Sequence, residues 1–164
     1  MGHAMVGYFC KDHPKLVKIC LNLWSPKTPG YTLFDASDAN ANIYTKDGLF
    51  SHLMVLLSGR IAEEVFYGYS VTTGAKQDFE EAYRLAHNMV VQYGMGNQNI
   101  YPDSSDQSKY LIDQEVNRLI LDAQEKALIL INDHKDLILK CTSILKETKV
   151  LKLEQIEVLH NVYT

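Results

Sequence analysis

No stretch of this 164-residue chain approaches the roughly 20 apolar residues that a membrane-spanning helix needs. The run Leu53 to Leu57 is cut short by Ser58, Gly59 and Arg60. Its start has neither a cationic, apolar leader nor an Arg-rich amphipathic face, which argues against a signal or transit peptide. The chain itself is expected to be soluble, and membrane anchoring of any parent cannot be read from these residues. Cysteine is scarce: Cys10, Cys20 and Cys141 are odd in number, far apart and never in CxxC spacing. That excludes a disulfide framework and a zinc site made of thiolates alone, and fits a reducing compartment. Cationic excess is missing too, since 16 Lys and Arg face 20 Asp and Glu for a net charge of -4. Without a basic stripe, nucleic acid is a poor partner. What remains, 46% apolar and 22% charged residues, suits one globular domain with a real core.

Hydrophobic periodicity predicts a mainly α fold with a small N-terminal β-sheet, over a single domain 1–164. Met1 to Cys10 reads as the end of a helix closed by Pro14. Val17 to Trp24 alternates like a half-buried strand, Ser25 to Gly30 reads as a turn, and Tyr31 to Phe34 as a second strand. Asp35 to Asn42 is polar loop. From Thr45 the period becomes helical, through Leu49, Leu53, Leu56, Leu57, Ile61 and Val65 to a stop at Gly68. Further helices are expected over about 75–93, 107–132 and 135–147, with a short last one over 153–159. A loop carrying Pro102 separates a first half, 1–96, from a helical second half, 97–164. Trp24 reads as core filling.

A lone His3 near a chain end means little, because a helical histidine is more often structural than a ligand. Its surroundings change that. Gly2-His3-Ala4-Met5-Val6-Gly7 resembles the second half of the HExxH helix of zinc peptidases, in the version HExGHAxxG. Two histidines at i and i+4 lie on one helical face and can grip one zinc, and the Glu beside the first acts as general base. The positions matching that first His and the Glu would precede Met1.

Downstream, Ser58-Gly59-Arg60-Ile61-Ala62-Glu63-Glu64 resembles the GGRxAEE signature of the FtsH-type AAA proteases. Val71 to Asp78 resembles that family's (S/T)TGAxxD element, and Met89-Val90 with Tyr93-Gly94-Met95 its MVxxYGM. Ile112 to Val116 is similar to its IDxEV, Leu151 to Ile156 to its LxxxEI, and Gly30-Tyr31-Thr32 to its GYT strand. The likeness runs over nearly the whole chain in the family's order. Two departures stand out: Ser58 replaces the first glycine of the GG pair, and Ser25 to Pro29 is proline-rich where the family has an arginine-glycine turn.

The resemblance implies a peptidase domain whose first half holds the zinc site, with His3 and Asp78 as zinc ligands. A carboxylate completing a three-ligand set leaves the fourth position open. The bland alternative for Asp78 is a first-turn acid favoured by the helix dipole. Glu63 is a rival third ligand, though the reading preferred for Glu63 and Glu64 is support of the site or a structural ion pair. Arg60 is expected to pair with an acid. His13, His52, His87, His134 and His160 lack ligand spacing with His3 and read as surface or core residues. Gly30, Tyr31 and Thr32 imply a strand edge that binds extended substrate main chain, against the alternative of an ordinary strand.

For a parent protein the resemblance implies an ATP-driven, membrane-anchored zinc endopeptidase of protein quality control. Its ATP would be bound by an AAA module outside this sequence, its substrates would be unfolded or membrane proteins, and its assembly a homo- or hetero-hexamer. The setting would be a mitochondrial or plastid inner membrane or a bacterial plasma membrane. With no general-base Glu before His3 in this sequence, the chain by itself is expected to be inactive and to bind zinc weakly or not at all. The competing readings are a proteolytically inert paralogue serving hexamer assembly, and an unrelated helical interaction module.

Overall fold

A computed structural model of the chain describes residues 1–22, 24, 30–35, 37, 44–68, 70–101 and 105–163. The order of elements is α1 (Gly2–Phe9), β1 (Leu16–Leu21), β2 (Gly30–Phe34), α2 (Lys46–Tyr67), a 3-10 turn (Thr73–Ala75), α3 (Lys76–Val91), α4 (Asp106–Asp133), α5 (Lys135–Thr148), β3 (Val150–Lys152) and α6 (Leu153–Tyr163). The fold is mainly α with one small antiparallel sheet. The expected turn at 25–29, Leu23, most of the loop after Asp35, and Pro102 lie outside the described residues.

The helix boundaries follow from local chemistry. Thr45 caps α2, its hydroxyl accepting from the Gly48 N–H at 3.0 Å, and Gly68, at φ 62°, ends it by donating to the Glu64 carbonyl. A positive φ costs glycine little. Ser105 caps α4 in the same way, accepting from Ser108 N–H at 3.1 Å. α2 is the central helix, buried without a break from Leu53 to Ser58, so it meets neighbours on more than one side. Its partners are α1, α3 and α4. Ala82, Ala86, Met89 and Val90 of α3 and Val116, Leu119, Ala123 and Ala127 of α4 join α1 and α2 in one core. Small alanines on facing stripes let those helices approach closely.

The sheet differs from expectation in several respects. Its strand order is β2-β1-β3, so its third strand comes from the C-terminal half, where a helix alone was expected. Three residues are too few for a periodic signal. Ile19 pairs with Thr32 on one side and Leu151 on the other, and Ile19 and Leu151 are both buried. β1 also begins with a bulge between Leu16 and Lys18, which turns Leu16 inward and leaves Val17 exposed, breaking the simple alternation. The strand stops at Leu21, and Trp24 is 96% exposed; the reading of Trp24 as core filling is corrected. Phe79, in the first turn of α3, is likewise exposed.

The IDxEV-like segment has a clear structural task. The Glu115 carboxylate accepts from the Asn97 N–H at 2.7 Å and is held by Arg118, whose guanidinium also reaches Asp122 at 2.7 Å. This ties the loop after α3 to α4, and Arg118 with the Asn97 N–H holds the Glu115 carboxyl below its ordinary range.

Candidate metal centre

His3 lies in the first turn of α1, where that helix crosses α2 at very short range. A Cβ on Gly2 would stand 2.4 Å from the Ser58 carbonyl oxygen, and one on Gly59 would lie 2.7 and 2.8 Å from the His3 ring. Gly59 therefore leaves the space that the imidazole fills. Ser58, at the place of the family's first glycine, is fully buried and donates its hydroxyl proton to the Val55 carbonyl at 2.6 Å. The hydroxyl is thus satisfied within its own helix.

Asp78 approaches from the other side, in the first turn of α3. The 3-10 turn before it is fixed at Thr72, whose hydroxyl oxygen accepts from the Gly74 N–H at 3.2 Å. Thr72 is pinned in turn by Glu63 of α2, which accepts from its N–H and its hydroxyl, both at 2.9 Å. The two Glu63 oxygens thus hold the start of α3, and Glu64 pairs with Arg60 at 2.8 Å. Thr72 was not singled out by sequence reasoning, although a threonine two residues before a glycine is a recognisable turn signal.

These supports place His3 Nε2 3.1 Å from Asp78 Oδ2. The pair is not aligned as a hydrogen bond: Nε2 is buried and has no hydrogen-bond partner. Burial pushes the imidazole below its ordinary pKa, with the Asp78 carboxylate pulling the other way, so the ring is neutral at pH 7 and keeps a lone pair. The two side chains border a cleft of about 550 Å³, walled by α2 residues including Glu63 and Phe66 and by Leu139, Thr142 and Lys146 of α5. The α5 wall, more than sixty residues from Asp78 in sequence, had no local signal.

A neutral imidazole nitrogen and a carboxylate oxygen are zinc donors. At metal–ligand distances of about 2.0–2.2 Å and tetrahedral angles, two such atoms sit about 3.4 Å apart. The observed separation and the unsatisfied Nε2 fit a shared ion. The pair stands alone in this respect: no three His, Cys, Asp or Glu gather as a metal group among the described residues. The other histidines make different contacts: His13 bonds His52, His134 stacks on Phe9, His160 bonds Tyr8 and His87 lies near Tyr83. Gly30, Tyr31 and Thr32 lie in β2, at an outer position of the sheet, with Tyr31 half exposed. They do not border the cleft.

The family model of peptidase family M41 matches residues 1–159. The chain belongs to peptidase family M41. Among M41 relatives, it is 31% identical to the ATP-dependent zinc metalloprotease FtsH of Synechococcus sp. over 95% of this chain and 27% of that protein. The chloroplastic ATP-dependent zinc metalloprotease FTSH of Medicago sativa is 31% identical over 94% of this chain and 25% of its own length. The mitochondrial inner membrane m-AAA protease component AFG3L1 of Mus musculus is 30% identical over 96% and 21%. This M41 chain thus spans about a quarter of the length of the curated relatives it matches. No described helix is long and apolar enough to cross a membrane.

Proposed function

We propose that this chain is the peptidase portion of an ATP-dependent, membrane-anchored zinc metalloendopeptidase that degrades unfolded or membrane proteins. The observation that carries the reading is the buried, unsatisfied His3 Nε2 facing Asp78 at 3.1 Å at the border of an open cleft. His3 and Asp78 hold zinc in this reading, with a further histidine and a general-base glutamate supplied by a longer chain. Zinc, when bound, supplies Lewis acidity and a nucleophile at neutral pH.

The residues present prepare that centre. Gly59 makes room for the imidazole, and burial keeps it neutral. The Glu63–Thr72 contact fixes the first turn of α3, so Asp78 is presented rigidly, at a helix end that favours negative charge. The outer edge of β2, with Gly30, Tyr31 and Thr32, offers main-chain donors and acceptors to an extended substrate, an arrangement that reads sequence weakly. The relatives' names support ATP dependence and a mitochondrial inner-membrane or plastid setting; a hexamer is the assembly this reading proposes. The 164-residue chain alone is silent, because general-base catalysis, worth about 10²–10⁴-fold, has no glutamate before His3 here.

The test compares the 164-residue chain with a longer one carrying the complete HExxH motif. Casein cleavage that requires the longer chain and is abolished by a chelator is expected. Chelator-sensitive cleavage by the 164-residue chain overturns the reading of its inactivity. A longer chain that lacks the motif and assembles without cleaving would point to an inert assembly module.

A further inference from the structure

His13 and His52 form a second close pair, away from the metal donors. His13 Nε2 lies 3.2 Å from His52 Nδ1, and His13 Nδ1 lies 3.1 Å from the Pro14 carbonyl. His13 is 7% exposed and packs edge-on against Phe34 of β2, ring centroids 4.5 Å apart. It belongs to the connector between α1 and β1, whereas His52 belongs to α2. The contact therefore joins the sheet and its connector to the central helix.

The hydrogen bonds determine where the protons are. A carbonyl only accepts, so His13 Nδ1 carries a proton. In the neutral ring Nε2 is then an acceptor, and the donor at 3.2 Å is His52 Nδ1–H. A first added proton goes to the free nitrogen of His52, Nε2, and keeps both hydrogen bonds. A second has only His13 Nε2 to occupy. There it removes the acceptor, sets two N–H groups against each other and places two cations side by side.

We propose that His13 and His52 are a two-proton latch, which holds the α1–β1 connector and β2 against α2 when it carries at most one extra proton and releases them on the second. The surrounding charged and titratable groups agree. Glu81 of α3, itself 3.6 Å from Arg84, favours the cation on His52, though burial holds that ring below its ordinary pKa. Burial dominates at His13 and lowers it too, the Pro14 carbonyl opposing and His52 adding repulsion. Cys10, at the end of α1, bonds toward Ser51 and has Asp12 of the connector beside it, and its thiol is pushed up by burial. It stays uncharged where the histidines titrate. β2 presents the Phe34 ring.

Native-state hydrogen exchange of the 164-residue chain tests this. Protection of β1 and β2 amides, corrected for intrinsic exchange, should be flat from pH 8 to about pH 6.5. Below that it should fall by more than about tenfold per pH unit, because the opened state takes up two protons ahead of the closed one. In His52→Gln, whose amide donates to a neutral His13 Nε2 or, turned over, accepts from a protonated one, the fall should be shallower, at most about tenfold per pH unit from His13 alone. The same fall in His52→Gln, or a flat profile in the unsubstituted chain, overturns the latch. Imidazole ¹⁵N spectra of the unsubstituted chain give an independent reading, should the variant not fold. At pH 8 His13 must carry its proton on Nδ1, and a proton on Nε2 there also overturns it.

Discussion

Two pairs of polar side chains, His3–Asp78 and His13–His52, have nearly the same separation, 3.1 and 3.2 Å, and opposite chemistry. In the second, each facing atom has a partner of the right polarity, and a backbone carbonyl fixes the tautomer. In the first, a buried imidazole nitrogen faces a carboxylate oxygen and is left without a hydrogen-bond partner. Leaving a buried polar atom unpaired costs about 1–3 kcal/mol, which an ion bound between them would offset. Distance therefore does not separate the proposed ligand pair from the hydrogen-bonded one; satisfaction of the hydrogen-bonding atoms does.

The largest effect that would sharpen this contrast is on zinc. Asp78→Asn in a longer chain with the complete motif should lower zinc affinity by more than the roughly 10–100-fold that losing an outer-shell partner costs. Peptide hydrolysis should fall with it while the thermal melt barely moves, since the amide is almost isosteric. Glu63→Gln is the matched control. It should weaken the Thr72 contact at a cost of about 1 kcal/mol and retain most zinc. Metal analysis and hydrolysis on both variants decide the matter, and full activity in Asp78→Asn would break the comparison.

Gly59→Ala should separate affinity from stability. The new methyl displaces the His3 ring, for a loss in zinc affinity of about tenfold or more. The gain in helix propensity, about 1 kcal/mol, keeps the melt close to the parent's. Gly2→Ala behaves differently, because its methyl meets the Ser58 backbone. A cost of about 1–3 kcal/mol is expected in denaturant titration.

Acid should act through the satisfied pair. His13 and His52 both titrate below the ordinary imidazole value when folded, so on acidification the unfolded chain takes up protons first. Their stabilisation is complete above about pH 6.5 and is lost as pH falls through the folded values. Melting temperature should drop from pH 7.5 to 5. His134, also lowered chiefly by burial, adds in the same direction, so the part removed by His52→Gln is the latch's own. An unchanged drop in that variant would count against the pair.

The smallest effect belongs to a third close pair. Arg60 and Glu64 are only 2.8 Å apart but partly exposed, and Arg60→Ala should cost about 0.3–0.5 kcal/mol. A larger loss in denaturant titration would mean that proximity alone carries more weight than solvent exposure allows.

Much of the fold could be read from short-range chemistry. Thr45 and Gly68 bracket α2, the stripe of Ala82, Ala86, Met89 and Val90 marks α3, and both are found within two residues of expectation. The misreadings fall where a residue's environment is set from far along the chain. Trp24 was assigned to the core by its residue type, yet the strand that would have buried it ends three residues earlier. Val17 broke the alternation because a bulge, invisible to a period of two, intervenes. β3 was too short to announce itself and exists because β1 has a free side to pair with.

The candidate site divides along the same line. The sequence by itself determined the family likeness, the helical setting of His3 and the first-turn setting of Asp78, because those depend on residue types at fixed spacing along one chain segment. Only the tertiary structure decided that these atoms, 75 positions apart in sequence, face one another with His3 Nε2 unsatisfied. It also decided that Glu63 is occupied by Thr72, and that His13 and His52 share a hydrogen bond. Each of those depends on how α1, α2 and α3 pack, and the approach that packing allows is set by glycines and alanines whose spacing carries no mark of which helix they will meet.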